Sequence, residues 1–253
     1  MSFEILVNGV GDAFSRRHWG TNFLCRSGDF VLAVDCPDSY RRALKANGFE
    51  HGGATLDAHH IDAMFLTHLH GDHVNGLEMV LAYRKFVAGG KLPLWTTPDV
   101  ADVLWDQRLR VSLGTMFDGV YYNEMYIEDF VELGIVSWGT TERIGPFEVT
   151  TRRTVHHIPT SALRIRANGR TLGYSCDTAW DPTLIDWLAD ADTILHETSL
   201  GPAHTPLYRL LELPEELRRK LWVVHYPDSL DRPDEGLRFA KEGTVIEVGS
   251  AAW

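Results

Sequence analysis

The stretch Thr67-His68-Leu69-His70-Gly71-Asp72-His73 constrains this chain more than any other. Three imidazoles and one carboxylate fall within positions 68–73, directly after the apolar run Ile61-Asp62-Ala63-Met64-Phe65-Leu66. Neutral imidazole and carboxylate are the side chains that hold zinc and similar divalent ions. A short strand that stops and turns at once can aim all four groups at one point. Gly71 suits a backbone making that turn, and Val74 to Leu81 then reads as the start of a helix. A polar loop with solvated histidines is the plain alternative. It fits an isolated histidine well and four donors at this spacing poorly.

Elsewhere the chain alternates strands with short helices. Phe3 to Val7 reads as a strand, and Phe23–Arg26 with Phe30–Asp35 as a hairpin around Ser27-Gly28-Asp29. Ser39 to Asn47 reads as a helix stopped by Gly48. Gly76 to Phe86 and Pro98 to Leu109 read as helices, with the strand Leu92 to Thr96 between them. In the second half, Ala162–Ala167 and Arg170–Tyr174 pair through Asn168-Gly169, a strong hairpin turn. Pro182 to Leu188 is helical, and Asp192–His196 and Leu221–His225 are strands ending in polar residues. No linker or low-complexity run separates the halves, so residues 1–253 are expected to form a single domain with two pseudo-symmetric halves.

The segment from about Val111 to Trp138 is rich in large side chains, among them Met116, Phe117, Tyr121, Tyr122, Tyr126 and Phe130. It is either a core segment or a cap or partner surface over a site.

Composition narrows the class. At 253 residues, 44% hydrophobic and 23% charged, the chain can build a sizeable core. It has no apolar run long enough to span a membrane. Its start, Met1-Ser2-Phe3-Glu4-Ile5-Leu6-Val7, lacks the pattern of a signal peptide, so a cytoplasmic location is expected. Cys25, Cys36 and Cys176 are odd in number and widely spaced, which argues against a disulfide framework and for small buried residues. The net charge of −11, from 24 basic and 35 acidic side chains, opposes general binding of nucleic-acid phosphates.

Four positions beyond the first cluster repeat one arrangement, in which a strand ends and a metal-competent side chain follows. They are His156 in His156-His157-Ile158-Pro159, Asp177 in Tyr174-Ser175-Cys176-Asp177, His196 in Leu195-His196-Glu197-Thr198, and His225 in Val224-His225-Tyr226. Each is weak alone. With the first cluster they supply donors for two ions.

The H-x-H-x-D-H pattern resembles the signature of the metallo-β-lactamase superfamily, and the later motifs come in the order that family uses. The resemblance implies an α/β fold, a four-layer αββα sandwich of the metallo-β-lactamase type. It implies that His68, His70 and His156 hold one ion, that Asp72, His73 and His225 hold a second, and that Asp177 bridges them. His156 is preferred to His157 because it stands three residues before Pro159, the H-x-x-P form of the ribonuclease Z branch. Val34-Asp35-Cys36-Pro37, His196-Glu197-Thr198 and Ala203-His204-Thr205 look like further motifs of that branch.

What the resemblance implies is a dinuclear metal-dependent hydrolase, a phosphodiesterase using a metal-bridging hydroxide on a small or nucleotide-like substrate. Two divalent ions are expected, zinc first, with manganese or iron as alternatives. Asp72 would orient the attacking water, His196 would protonate the leaving group, and Glu197 would hold the His196 imidazole. A transfer RNA substrate is disfavoured, because no glycine-rich basic insert is present. A homodimer fits the family. A carboxylic ester or lactone hydrolase on the same site is the alternative, followed by a mononuclear-iron oxygenase and a non-catalytic binding protein.

Overall fold

Strand alternation builds the layers. In the computed structural model, which describes residues 2–230 and 236–250, the first strands are buried on both faces. Phe3, Ile5, Val7, Phe23, Cys25, Leu32, Val34 and Phe65 point one way, into the space between two sheets. Leu6, Leu24, Val31, Ala33, Met64 and Leu66 point the other way, onto helices. Successive side chains of a strand face opposite sides. A near-continuous apolar run therefore needs cover on both faces, and a sandwich with helices outside provides it.

The first sheet runs in the order Val131–Ile135, Leu92–Thr96, Ala63–Phe65, Phe30–Val34, Asn22–Ser27, Phe3–Gly9 and Val245–Glu247. The second runs Thr141–Ile144, Phe147–Arg153, Ser161–Ala167, Arg170–Tyr174, Thr193–Glu197, Leu221–Val224 and Arg238–Phe239. Their facing sides meet through aromatic pairs. Phe3 and Phe147 have ring centroids 5.3 Å apart, and Phe23 meets Tyr174 edge-on at 5.0 Å. The helices Tyr40–Asn47, Leu77–Tyr83 and Pro98–Leu104 cover the outer face of the first sheet, and Pro182–Leu188 covers the second. The result is the expected four-layer αββα arrangement.

Parallel pairing decides where the chemistry can sit. Phe30–Val34, Ala63–Phe65 and Leu92–Thr96 are parallel neighbours, as are Arg170–Tyr174, Thr193–Glu197 and Leu221–Val224. Within each set the carboxyl ends share one edge of the sheet, where α/β sheets gather ligand-binding loops.

Several local readings change in detail. Gly48 caps the first helix at φ 65°, and Asn168 and Gly169 take φ 53° and 75° in their hairpin, as their residue types suggest. The helices beginning near Gly76 and Pro98 keep α geometry only to Tyr83 and Leu104, and each continues as a wider π turn. The aromatic segment divides between its two readings. Thr115–Phe117 and Tyr122–Glu124 form a hairpin on which Phe117, Tyr121 and Tyr122 are exposed. Phe130 and Val131 instead enter the core and lead an edge strand of the first sheet. All three cysteines are buried and free. Among the described residues, no helix is long and apolar enough to cross a membrane.

Candidate metal centre

Seven side chains from four strand ends converge at that shared edge. His68 and His70 lie in the turn after Ala63–Phe65, and the short helix Gly71–Val74 carries Asp72 and His73. His156 follows Phe147–Arg153, Asp177 follows Arg170–Tyr174, and His225 follows Leu221–Val224. Cys176 and His225 take φ 49° and 53°. Non-glycine residues rarely hold this left-handed conformation, and it turns the chain sharply at the points where ligand side chains leave the strands.

Asp177 is the hub. One of its oxygens lies 3.4 Å from His73 Nε2. The other lies 3.8 Å from His68 Nε2, 3.6 Å from His156 Nε2 and 3.5 Å from His225 Nε2. The donors divide into two groups that share this carboxylate, His68, His70, His156 and Asp177 in one, Asp72, His73, Asp177 and His225 in the other. Within each group the ligating atoms lie within 4.8 Å of one another. These are the groupings expected by family resemblance. His157 lines the outer wall of the cavity instead.

The donors fit divalent cations. His68 Nε2, His73 Nε2 and Asp177 Oδ1 are buried and have no hydrogen-bond partner. Buried polar atoms are rarely left without one, and here each belongs to a group that ligates metals. A further set, His68, His73 and Cys176, is less suited. Burial pushes the Cys176 thiol well up and keeps it protonated, and it donates to Thr67 Oγ1 at 3.2 Å.

Outer hydrogen bonds orient the imidazoles. The Asp35 carboxylate, fully buried, accepts from His73 Nδ1 at 2.8 Å, from Thr67 N at 2.8 Å and from Thr67 Oγ1 at 2.8 Å. His73 Nε2 is thereby left facing the centre. The Thr67 hydroxyl gives its proton to Asp35, so its oxygen accepts from His68 Nδ1 at 3.0 Å, and His68 also presents Nε2. His156 Nδ1 donates to the Ala203 carbonyl at 3.1 Å, with the same outcome. Such partners fix ring orientation and tautomer at metal sites.

The electrostatics are those of a carboxylate-centred histidine cluster. Burial disfavours charge on His73 and His225, but Asp177 and Asp72 outweigh it, raising His73 well above the usual imidazole range and His225 to about 9. Burial likewise opposes charge on Asp72 and Asp177, yet the surrounding imidazoles hold both below the usual carboxylate range. His68 and His70 are pushed down, mainly by burial, and His156 falls to about 4 for the same reason.

The structure corrects the expected pairing of His196 with Glu197. These residues are adjacent on the strand Thr193–Glu197, so their side chains leave opposite faces. Glu197 faces the centre and His196 faces away. His196 is buried, its Nδ1 donates to the Glu197 carbonyl at 2.8 Å, burial lowers its pKa to about 4, and it does not line the cavity. The Glu197 carboxylate holds His204 instead. Its Oε1 accepts from His204 Nδ1 at 3.3 Å and from the backbone N–H groups of Thr178 and Thr205, both at 3.0 Å. His204 lines the cavity and stacks on His225 with centroids 5.4 Å apart. Burial disfavours its charge, but the Glu197 hydrogen bond and charge raise its pKa overall. The sequence signal for His204 was Ala203-His204-Thr205, and strand alternation would have excluded His196.

A cavity of about 530 Å³ opens over the centre, within the size range of small-molecule sites. His70, Asp72, His156, Asp177, His204 and His225 contribute to its floor and walls.

Two seven-stranded sheets carrying a histidine–aspartate centre at a shared strand edge define a protein of the metallo-β-lactamase fold, with donors placed to hold metal. The chain belongs to the family described as "Anti-Pycsar protein Apyc1", whose model matches residues 3–246. A relative of that description from Paenibacillus sp. (strain J14) is 30% identical over 238 residues, covering 91% of this chain and 92% of its own. The metallo-beta-lactamase fold protein YhfI from Bacillus subtilis superposes with a TM-score of 0.76 at 20% identity, over 98% of this chain and 100% of its own. The short form of human tRNase Z (ELAC1) reaches 0.70 at 18% identity, over 96% and 98%.

Proposed function

We propose that this chain is a phosphodiesterase that binds two divalent cations, zinc in the first instance, and opens the phosphodiester of a small cyclic nucleotide. The observation that carries this reading is the position of Asp177, with four imidazole nitrogens 3.4 to 3.8 Å from its two oxygens. One carboxylate serving two donor groups suits a pair of cations. Membership of the Anti-Pycsar Apyc1 family supports the choice of a cyclic-nucleotide substrate.

Cations held by these residues supply Lewis acidity and a water molecule acidic enough to attack at neutral pH. The chain's own groups do the rest. Asp72, at the cavity wall and 3.1 Å from His225 Nε2, accepts a proton from the attacking water and orients it. Attack at phosphorus forms one P–O bond and breaks the bond to a ribose oxygen. That oxygen leaves as an alkoxide and needs a proton. His204 faces the cavity and Glu197 favours its protonated form, so it is placed to deliver one through Nε2, while Nδ1–H stays anchored on the carboxylate. The product is a nucleoside monophosphate.

Among the described residues lining the cavity there is no lysine or arginine. A polynucleotide is gripped through many cationic phosphate contacts, so this lining supports a small substrate over transfer RNA. The test is turnover by metal-reconstituted protein of a nucleoside 3′,5′-cyclic monophosphate and of bis(p-nitrophenyl) phosphate, with p-nitrophenyl acetate and a lactone in parallel. Chelator-sensitive phosphodiester turnover supports the reading. Ester or lactone turnover alone replaces it with the carboxylic ester hydrolase.

A further inference from the structure

Phe14 is 89% exposed, yet the loop that carries it is hydrogen-bonded at several points. Asp12 Oδ1 accepts from the Phe14 backbone N–H at 3.0 Å, and Asp12 Oδ2 accepts from Ser199 Oγ at 2.9 Å. The Ser15 hydroxyl donates to Asp228 at 2.5 Å, and the Arg16 N–H donates to the same carboxylate at 3.1 Å. Asp12 N donates to the Tyr226 carbonyl at 3.3 Å, and Trp19 N to Glu242 at 2.5 Å. Gly11 is tightly enclosed, since a Cβ there would meet the Ser15 Cβ at 2.7 Å. The loop is thus tied to Ser199, which begins the segment carrying His204, and to Tyr226, the residue after His225.

Phe14 lines the same cavity as the metal centre, together with Ala13 and with Leu200, itself 68% exposed. The hydrogen bonds fix the backbone that carries Phe14 and leave its ring uncovered in water, where a ligand can cover it. The cavity therefore has the metal centre at one side and, flanked by Asp12 and Asp228, the apolar surfaces of Ala13, Phe14 and Leu200 at the other. Among the described residues, its lining includes no lysine or arginine. A molecule matching both ends carries a phosphate at one end and a flat ring at the other.

We infer that Phe14 is the platform on which the base of the nucleotide stacks while its phosphate occupies the metal centre. This rests on the phosphodiesterase reading for the phosphate end only. Leu200 adds apolar cover from the same wall. The tied loop fixes the Phe14 backbone beside the cavity, so binding has only the side chain left to order.

The test uses the full, metal-loaded chain as wild type, Phe14→Ala and Phe14→Trp. The substrates are a nucleoside 3′,5′-cyclic monophosphate and the 3′,5′-cyclic phosphate of 1-O-methylribose, which has no base. Phe14→Ala should raise KM for the nucleotide by roughly ten- to a hundredfold and narrow its kcat/KM advantage over the abasic ester by the same factor. Phe14→Trp should restore it. An unchanged ratio, with both substrates affected equally or neither, overturns the stacking role. In parallel, proton NMR of a pyrimidine 5′-monophosphate with the same proteins should show upfield shifts of the base protons, lost in Phe14→Ala. Those shifts without turnover leave the platform standing and remove the phosphodiesterase reading. Turnover with no shift and no change in ratio removes the platform alone, and failure of both measurements removes both.

Discussion

The Glu197 carboxylate holds the His204 imidazole through Nδ1 at 3.3 Å, while the neighbouring His196 turns away from the cavity. One strand residue thereby holds His204, and not His196, at the cavity. His204→Ala should slow phosphodiesters with alkoxide leaving groups by about 10²- to 10⁴-fold. It should slow nitrophenolate esters far less, because that leaving group hardly needs a proton. Equal losses on both would remove His204 as the proton donor. A conservative change at His196 should lower thermal stability without this discrimination between leaving groups.

The same pair predicts a pH effect. Glu197 raises the His204 pKa, so Glu197→Gln should lower it. The alkaline limb of the kcat profile for an alkoxide-leaving substrate should then move to lower pH. An alkaline limb that stays in place would show that it belongs to another group.

Asp35 is fully buried, and it accepts from His73 Nδ1 and twice from Thr67. Asp35→Asn should weaken metal affinity by about 10- to 100-fold, read by competition with a coloured chelator. Undiminished affinity would mean that His73 is oriented by packing alone.

Asp177→Ala removes the one carboxylate common to both donor groups. The bound metal should fall below that of the wild type by elemental analysis, and turnover should fall steeply. Normal turnover would sink the bridging role of Asp177.

Metal and protons compete for the same nitrogens. In the metal-free chain the His225 pKa rises from 6.5 to about 9, so its contribution to stability is complete below 6.5 and is lost as pH rises through 9. Asp72 and Asp177 are shifted down from 3.8, so theirs is present above 3.8 and is lost as pH falls further. Metal-free protein should therefore lose melting temperature between about pH 6.5 and pH 9. Binding zinc near neutrality should release protons, measurable in buffers of different ionisation heat. A flat melting profile with no proton release would contradict the charge placement.

Much of the fold and site was legible in the chain itself. The spacing of His68, His70, Asp72 and His73 carries local information, since a strand end and one helical turn suffice to bring them together. The apolar runs with period-2 faces, such as Phe3–Val7, required a strand covered on both sides, and glycines at forced left-handed turns marked where strands stop. The carboxyl ends of those strands also pointed to His156, Asp177 and His225. Tertiary structure decided what depends on direction between distant segments. Only the sandwich turns Glu197 towards His204, buries Asp35 behind His73, and leaves Phe14 bare at the cavity mouth while its loop is tied to Asp228 and Ser199. The physical reason is that a sequence specifies which groups a strand or turn presents, whereas the partner each group meets depends on segments up to some two hundred residues away in the chain.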